Sequence, residues 1–393
     1  MRTVGIICEF NPLHSGHAYL MAQLRQKGAE AIVCAMSGNF VQRGEPALVH
    51  KLARAEMAVD CGADLVLELP TPWAMATAET FAMGGVQLLH MAGCSHIAFG
   101  SECGDAALLQ KTADILLLPQ FQADILAELA SGVTYAAARQ RAAERYQSHS
   151  AAVLSRPNDT LAVEYLKACR RLGVDMTPMV VRRIGAGHDG AAADGYAAAS
   201  HLRTLLRQDE KTAYGYMPPQ AAAVMRREMA AGRVADVRCV ERAILARLRQ
   251  MSEDDFACYD GGGEGLYHRV YNAVRRCATL EELLAAVKTK RYTAARIRRL
   301  VLAAWLKLEN APETMPYVRV LAVNGTGREI LRKMKRADCP MLTKAADVAA
   351  LGAEAEALLR GETVRTDLYT LAYRSLEQSE PGSDWRLTPV IRN

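Results

Sequence analysis

Val4-Gly5-Ile6-Ile7-Cys8-Glu9-Phe10-Asn11-Pro12-Leu13-His14-Ser15-Gly16-His17 is the stretch that decides the fold. Residues 4–8 form a short apolar run that opens into a polar, proline-containing loop, the pattern of a buried parallel strand. Residues 17–27 then place Tyr19, Leu20, Ala22 and Leu24 at helical spacing, and Gly28 stops the helix. The same alternation continues outward. Residues 31–36 read as a strand followed by the turn Ser37-Gly38-Asn39, and 51–61 as a helix ended by Gly62. Residues 65–69 read as a strand broken by Pro70 and Pro72, 77–92 as a helix, and 96–99 as a strand ending in Gly100-Ser101-Glu102. Alternating strands and helices predict an α/β fold: a doubly wound, Rossmann-like parallel sheet with right-handed connections. Ligands of such sheets lie outside the strand carboxyl ends. The 11–17 loop, the 37–39 turn and residues 100–102 are therefore expected to meet at one crevice.

Helices are predicted over 106–117, 121–131, 135–146 and 159–172, the last capped by Asn158 or Asp159. A strand at 177–181 leads into Arg182-Arg183-Ile184. From about residue 205 the pattern is mostly helical, with one strand at 318–323. At roughly 100–200 residues per domain, 393 residues suit two domains, 1–210 and a mostly helical 211–393, divided near Pro218-Pro219.

Two imidazoles three residues apart, flanking a glycine at a strand-to-helix turn, suit an anion. Gly16 lets a phosphate come close to the backbone, the helix start offers unpaired N–H groups, and His14 and His17 can donate to phosphate oxygens as charge develops. This suits attack on the α-phosphate of ATP with pyrophosphate leaving. An ordinary polar turn is the plain alternative. Zinc has no third ligand nearby. The segment 37–46, with Arg43, Lys51 and Arg54 nearby, is read either as lining a substrate side of the crevice, which the family resemblance given below makes the acetate or tRNA side, or as a structural loop with a solvated helix face.

Net charge is +5, unevenly spread: −4 over residues 1–150 and +9 over 238–336, which points to a polyanion partner for the later half. Lys288, Lys290, Arg291, Arg296, Arg298 and Arg299 cluster around Tyr292, beside the apolar stripe Ile297, Leu300, Val301, Ala304 and Leu308. They read either as a track for a phosphate backbone, with Tyr292 stacking on a base, or as a solvated face. The ten cysteines form no Cys-x-x-Cys pair and read as reduced. No apolar run is long enough to span a membrane and no signal peptide is read, so a cytoplasmic protein is expected.

The segments 9–17, 37–46 (Ser37-Gly38-Asn39-Phe40-Val41-Gln42-Arg43-Gly44-Glu45-Pro46), 62–70 (Gly62-Ala63-Asp64-Leu65-Val66-Leu67-Glu68-Leu69-Pro70) and Phe99-Gly100-Ser101-Glu102 stand in that order. Pro157-Asn158-Asp159-Thr160-Leu161, residues 182–189, Glu264-Gly265-Leu266, residues 290–299 and Tyr317-Val318-Arg319-Val320-Leu321 follow. Together they resemble the bacterial tRNA(Met) cytidine acetate ligases, a branch of the HxGH nucleotidylyltransferase superfamily. The resemblance runs from residue 1 to about 336. It implies that acetate attacks ATP to give acetyl-adenylate, and that the exocyclic amine (N4) of the wobble cytidine of elongator tRNA(Met) then takes the acetyl group. The ATP-binding positions it implies are Ile7, Cys8, Glu9, Phe10, Asn11, Pro12, Leu13, His14, Ser15, Gly16, His17, Ala18, Tyr19, Leu20, Gly100, Asn158, Arg183 and Ile184. His14 and His17 are the implied catalytic pair. Asn158 is read as a contact to base or ribose, or as a plain helix cap. Arg183 is read as a phosphate fork, or as a solvated charge. Ala198-Ala199-Ser200-His201-Leu202-Arg203 matches the superfamily's phosphate-gripping turn, with alanine at two hydroxyl positions, making Ser200 and Arg203 candidates. Lys290, Arg291, Arg296, Arg298 and Arg299 are the candidate tRNA contacts. Mg²⁺ is expected to accompany ATP. A small-molecule adenylyltransferase and a non-catalytic RNA-binding protein are the alternative readings.

Overall fold

In the computed structural model the described residues are 1–184, 196–260 and 265–393. The part of the 182–189 motif beyond Ile184, and Glu264, lie outside them.

Among the described residues ten strands form: β1 (Thr3–Cys8), β2 (Ala31–Ser37), β3 (Phe40–Val41), β4 (Glu45–Pro46), β5 (Leu65–Leu69), β6 (His96–Ser101), β7 (Thr177–Arg182), β8 (Val318–Val323), β9 (Met341–Leu342) and β10 (Val390–Ile391). The main sheet runs β10-β8-β5-β2-β1-β6-β7, with β9 also on β8, while β3 and β4 make a separate hairpin. Strands β5, β2, β1, β6 and β7 are parallel, as the alternation predicts. From β1 the chain winds first to β2 and β5, then returns to β6 and β7 on the other side. The carboxyl ends of β1 and β6 are therefore the switch point of the sheet.

The predicted strand 318–323 is β8, but it pairs antiparallel with β5, Leu65 opposite Val323. The sheet thus draws strands from both sides of residue 210. Its two faces follow from residue alternation. Ala31, Val33 and Ala35 face one core with helices Ala78–Met91 and Pro157–Leu172. Ile32, Cys34 and Met36 face the other, which helices Lys51–Asp60, Ala199–Gln208 and Pro219–Ala230 cover. A third core joins the helices of 241–306 to Phe40 and Tyr369. All ten cysteines are free. Among the described residues no helix is long and apolar enough to cross a membrane.

Candidate active site

The loop after β1 places His14 at the N-cap of helix Ser15–Gln26. His14 Nδ1 accepts the Gly16 amide at 3.1 Å, and His17 Nδ1 accepts the His14 amide at 3.3 Å, a reciprocal cap built from two imidazoles. With both Nδ1 atoms accepting, each neutral ring carries its proton on Nε2. The rings stack, centroids 3.8 Å apart, and Phe10 meets His17 edge-on at 5.0 Å. A Cβ on Gly16 would come within 2.9 Å of His14 Cε1, so the bare glycine makes room for the imidazole.

This corrects one expectation. The first helical N–H groups are not left for a ligand: Ser15 N donates to Tyr216 O, Gly16 N to His14 Nδ1, and His17 N and Ala18 N to His14 O. The residue that caps the helix takes up its orphan donors. On this loop, the donors left to meet an anion are the two Nε2–H groups. Ser15 Oγ also donates to Tyr216 O, at 2.8 Å, which fastens the loop to a segment 201 residues away.

A cleft of about 570 Å³ opens here, lined by His14, Gly16, His17, Tyr19, Leu20, Gly100, Val181, Arg182, Arg183, Ile184, Tyr196, Ala197 and Ala198. It lies at the β1/β6 switch point. The structure thus brings together most of the implied site: His14, Gly16, His17, Tyr19 and Leu20 from the first loop and helix, with Gly100, Arg183 and Ile184 from the ends of β6 and β7. The Arg183 side chain lies across Gly100. Tyr196 and Ala197, which no pattern marked out, line it too, together with Ala198, the first residue of the 198–203 turn. Ala198 is the N-cap of helix Ala199–Gln208 and makes no side-chain cap bond, so a second helix start borders the cleft.

Burial and the Arg183 charge push His14 down to about 4. Burial, then His14 and Arg183, holds His17 well below its ordinary value. Both rings are therefore neutral at pH 7. We expect the Cε1 proton resonances of His14 and His17 to stay flat between pH 8 and 5.5 in an NMR titration, where a free histidine passes through its midpoint near 6.5. The unfolded chain takes up these protons before the folded one does. Folding stability should therefore fall as pH drops from about 6.5 towards 4.

Other implied residues stand behind the cleft wall. Asn158 is the second residue of helix Pro157–Leu172, whose N-cap is Arg156, so neither Asn158 nor Asp159 is the cap. Glu102 closes this helix start from the β6 loop, accepting Asn158 Nδ2 at 2.6 Å, Asn158 N at 3.2 Å and Asp159 N at 2.9 Å. Buried Asp159 returns the clasp, accepting Ser101 Oγ at 2.5 Å and Glu102 N at 2.9 Å. Arg203 donates to Asn11 O at 2.8 Å. Ser200 uses its carbonyl within its own helix, accepting Thr204 Oγ1 at 3.3 Å. Asn11 Oδ1 accepts Leu48 N at 2.7 Å. Ile7, Cys8, Phe10, Pro12 and Leu13 are buried and shape the loop from below, and Glu9 Oε1 accepts Gln42 N at 2.8 Å. Ala18 is half-buried on the first helix.

The 37–46 segment does not line this cleft. Arg54 is fully buried and donates to the carbonyls of Glu9 (2.6 Å), Ser37 (3.0 Å), Val49 (3.1 Å) and Gly38, tying the ends of β1 and β2 together. Lys51 is buried against Glu68 and Asp384. Neither cation lies on a solvated helix face, which corrects that part of the structural alternative: a buried guanidinium or ammonium must spend its donors inside.

In the later half, Arg298 Nε donates to Arg43 O at 3.0 Å and Arg299 Nη1 to Gln42 O at 3.0 Å. Arg296 pairs with Asp260 at 3.1 Å. Burial, with Arg296 and Arg298 nearby, pulls Arg299 down to about 10. Tyr292 is buried, with the guanidinium groups of Arg296 and Arg291 5.5 and 5.8 Å from its ring, so it does not present a stacking face to solvent. Lys288, Lys290 and Arg291 are exposed. So are Arg332, Lys333, Lys335 and Arg336, on helix Gly325–Arg336.

A family model for HIGH Nucleotidyl Transferase matches residues 1–384. The chain belongs to this family. Among its relatives is the tRNA(Met) cytidine acetate ligase of Acetivibrio thermocellus, 32% identical and covering 100% of both chains. That of Caldanaerobacter subterraneus is 34% identical over 97% of this chain and 98% of its own. The Thermotoga maritima TmcAL crystal structure bound with alpha-thio ATP superposes with a TM-score of 0.92 at 30% identity, covering 100% of this chain and 99% of that one. Its apo form gives 0.94. Within the HIGH nucleotidyl transferases the chain therefore sits with the tRNA(Met) cytidine acetate ligases. Neither alternative reading is favoured by these matches.

Proposed function

We propose that the protein is an ATP-dependent ligase that joins acetate to N4 of the wobble cytidine of elongator tRNA(Met). The observation that carries this is the stacked pair of imidazoles beside Arg183 at the sheet's switch point, each with its Nδ1 taken by a backbone amide, which leaves Nε2–H as the donor. Such donors suit an α-phosphate that gains negative charge as it is attacked. An acetate oxygen forms a bond to the α-phosphorus, the bond to the bridging oxygen breaks, and pyrophosphate leaves with the electron pair. The cytidine amine then bonds to the acyl carbon, AMP leaves, and the amine proton passes to solvent. In this reading Gly100, Arg183 and Ile184 border the nucleotide, Tyr19 and Tyr196 line the cleft with their rings edge to face, and Asn158 acts through Glu102. The second helix start, at Ala198, receives the outer phosphates.

Mg²⁺ belongs to this proposal as the companion of the triphosphate. Among the described residues no set of His, Cys, Asp or Glu is grouped to hold an ion. Its ligands would therefore be chiefly phosphate oxygens and water, and its contribution is charge neutralisation. The tRNA is proposed to lie along the basic later half, over Lys288, Lys290 and Arg291 and the exposed cations of helix Gly325–Arg336. A cytoplasmic location suits such a substrate.

The test is incubation with ATP, radiolabelled acetate and bulk tRNA. Label in tRNA that nuclease digestion recovers as acetylcytidine is the expected result, together with acetate-dependent pyrophosphate exchange. Absence of both overturns the proposal.

A further inference from the structure

The β3–β4 hairpin stands between the imidazole loop and helix Ala294–Leu306. Its turn residue Gly44 has φ +69°, and a Cβ there would lie 2.5 Å from the Arg299 amide nitrogen. Hairpin and helix are therefore in backbone contact at a position that only glycine tolerates. Arg298 and Arg299 hold the hairpin carbonyls of Arg43 and Gln42, and on the opposite side Glu9 accepts the Gln42 amide.

At the hairpin's end one carboxylate serves both sides. Glu45 Oε1 lies 3.3 Å from Arg298 Nη2, and Glu45 Oε2 lies 3.5 Å from Arg203 Nη2. The other terminal nitrogen of Arg203 donates to Asn11 O, three residues before His14. Glu45 is not among the residues lining the cleft.

We propose that Glu45 is a positioning residue for adenylate formation: by holding Arg203 and Arg298 together, it couples helix Ala294–Leu306 to the loop that aims His14 and His17. The proposal rests on the ATP-ligase reading above. The physical argument is one of compensation. The Arg203 side chain is only 15% exposed. Burial works against its charge, and Glu45 is the foremost group opposing that cost. Without the carboxylate, a poorly solvated guanidinium gains by turning to water. Asn11 O then loses its donor and the imidazole loop loses a fixed point. Misplacement of catalytic groups by about 1 Å costs on the order of a hundredfold in rate.

The test uses the full chain without tRNA and measures acetate-dependent ATP–pyrophosphate exchange in wild type, Glu45→Gln, Arg298→Gln and the double variant. Glu45→Gln is expected to lower kcat about tenfold or more, with KM for ATP within about threefold. Arg298→Gln, at a residue that does not line the cleft, should lower kcat in the same direction but less. The double variant should be no worse than Glu45→Gln, because both act through one link. An unchanged kcat in either single variant, an effect confined to KM, or additive losses would overturn the proposal. The His14 and His17 Cε1 resonances supply a readout independent of turnover. They should move in both single variants of folded protein, and unmoved signals reject the coupling even if wild type shows no exchange. Absent exchange in wild type would sink the ligase reading instead.

Discussion

Replacing His14 or His17 by alanine should lower acetate-dependent pyrophosphate exchange by about two to three orders of magnitude, the cost of losing one preorganised donor to a developing oxyanion. The two replacements differ in their second effect. His14 is also the helix N-cap, so His14→Ala should destabilise the fold by about 1 kcal/mol as the Gly16 amide loses its acceptor. His14→Asn separates the roles: asparagine is a good N-cap but ends short of the Nε2 position. We expect His14→Asn to recover most of the stability and little of the rate. A single-turnover assay on folded His14→Asn that ran at the wild-type rate would show that the imidazole Nε2–H does not act on the phosphate.

Lys51→Ala should cost about 3–5 kcal/mol in stability, the range found when one partner of a buried ionic group is removed. Lys51 Nζ lies 2.7 Å from Glu68 Oε1 and 2.8 Å from Asp384 Oδ1, and Arg319 lies 2.7 Å from Asp384 Oδ2 and 3.4 Å from Glu68 Oε2. None of the four side chains is more than 3% exposed. Two carboxylates and two cations balance. Deleting Lys51 leaves two buried carboxylates facing one guanidinium. Adding Asp384→Asn to Lys51→Ala removes the excess negative charge and should recover part of the loss, a coupling that urea denaturation of the four members of the cycle measures. Additive losses would show that the groups do not act as one network. Burial raises the Asp384 carboxyl, but Lys51 and Arg319 outweigh that and hold it at about 2. Its folded value is below the unfolded value of about 3.9. This stabilisation is thus complete above about pH 4 and is lost as pH falls towards 2. Lys51→Ala should therefore also flatten the acid limb of the stability curve.

These two sites show where sequence reading succeeds and where it stops. The four sheet strands and three longer helices of residues 1–101 were legible because each signal is local: an apolar run of five, a helical period, a glycine or proline stop; the β3–β4 hairpin and the short helix Thr71–Ala74 were not. His14, Gly16 and His17 were legible because chemistry and turn fall within four residues. Asn158 stood out in the sequence but its bond to Glu102 did not, because Glu102 is 56 positions away and comes from another strand's loop. Lys51 and Arg54 read equally well as solvated charges, since nothing next to them announces Glu68, Asp384 or four backbone carbonyls. The basic run 290–299 shows the same boundary. Charge density is visible in a sequence, whereas the hairpin carbonyls that hold Arg298 and Arg299 are some 255 residues distant.

The sequence by itself determined the parallel α/β sheet, the strand-to-helix turn carrying two imidazoles, and the basic bias of the later half. All three follow from neighbours along the chain. Only the tertiary structure decided that β8 joins β5 antiparallel, that the imidazoles cap their own helix and so present Nε2–H, and that Tyr196 and Ala198 complete the cleft. It likewise decided that Glu45 stands between two arginines. Each of these depends on which distant groups burial brings together. Local propensity is silent about that, because desolvation makes a charge choose its partner in space and not along the chain.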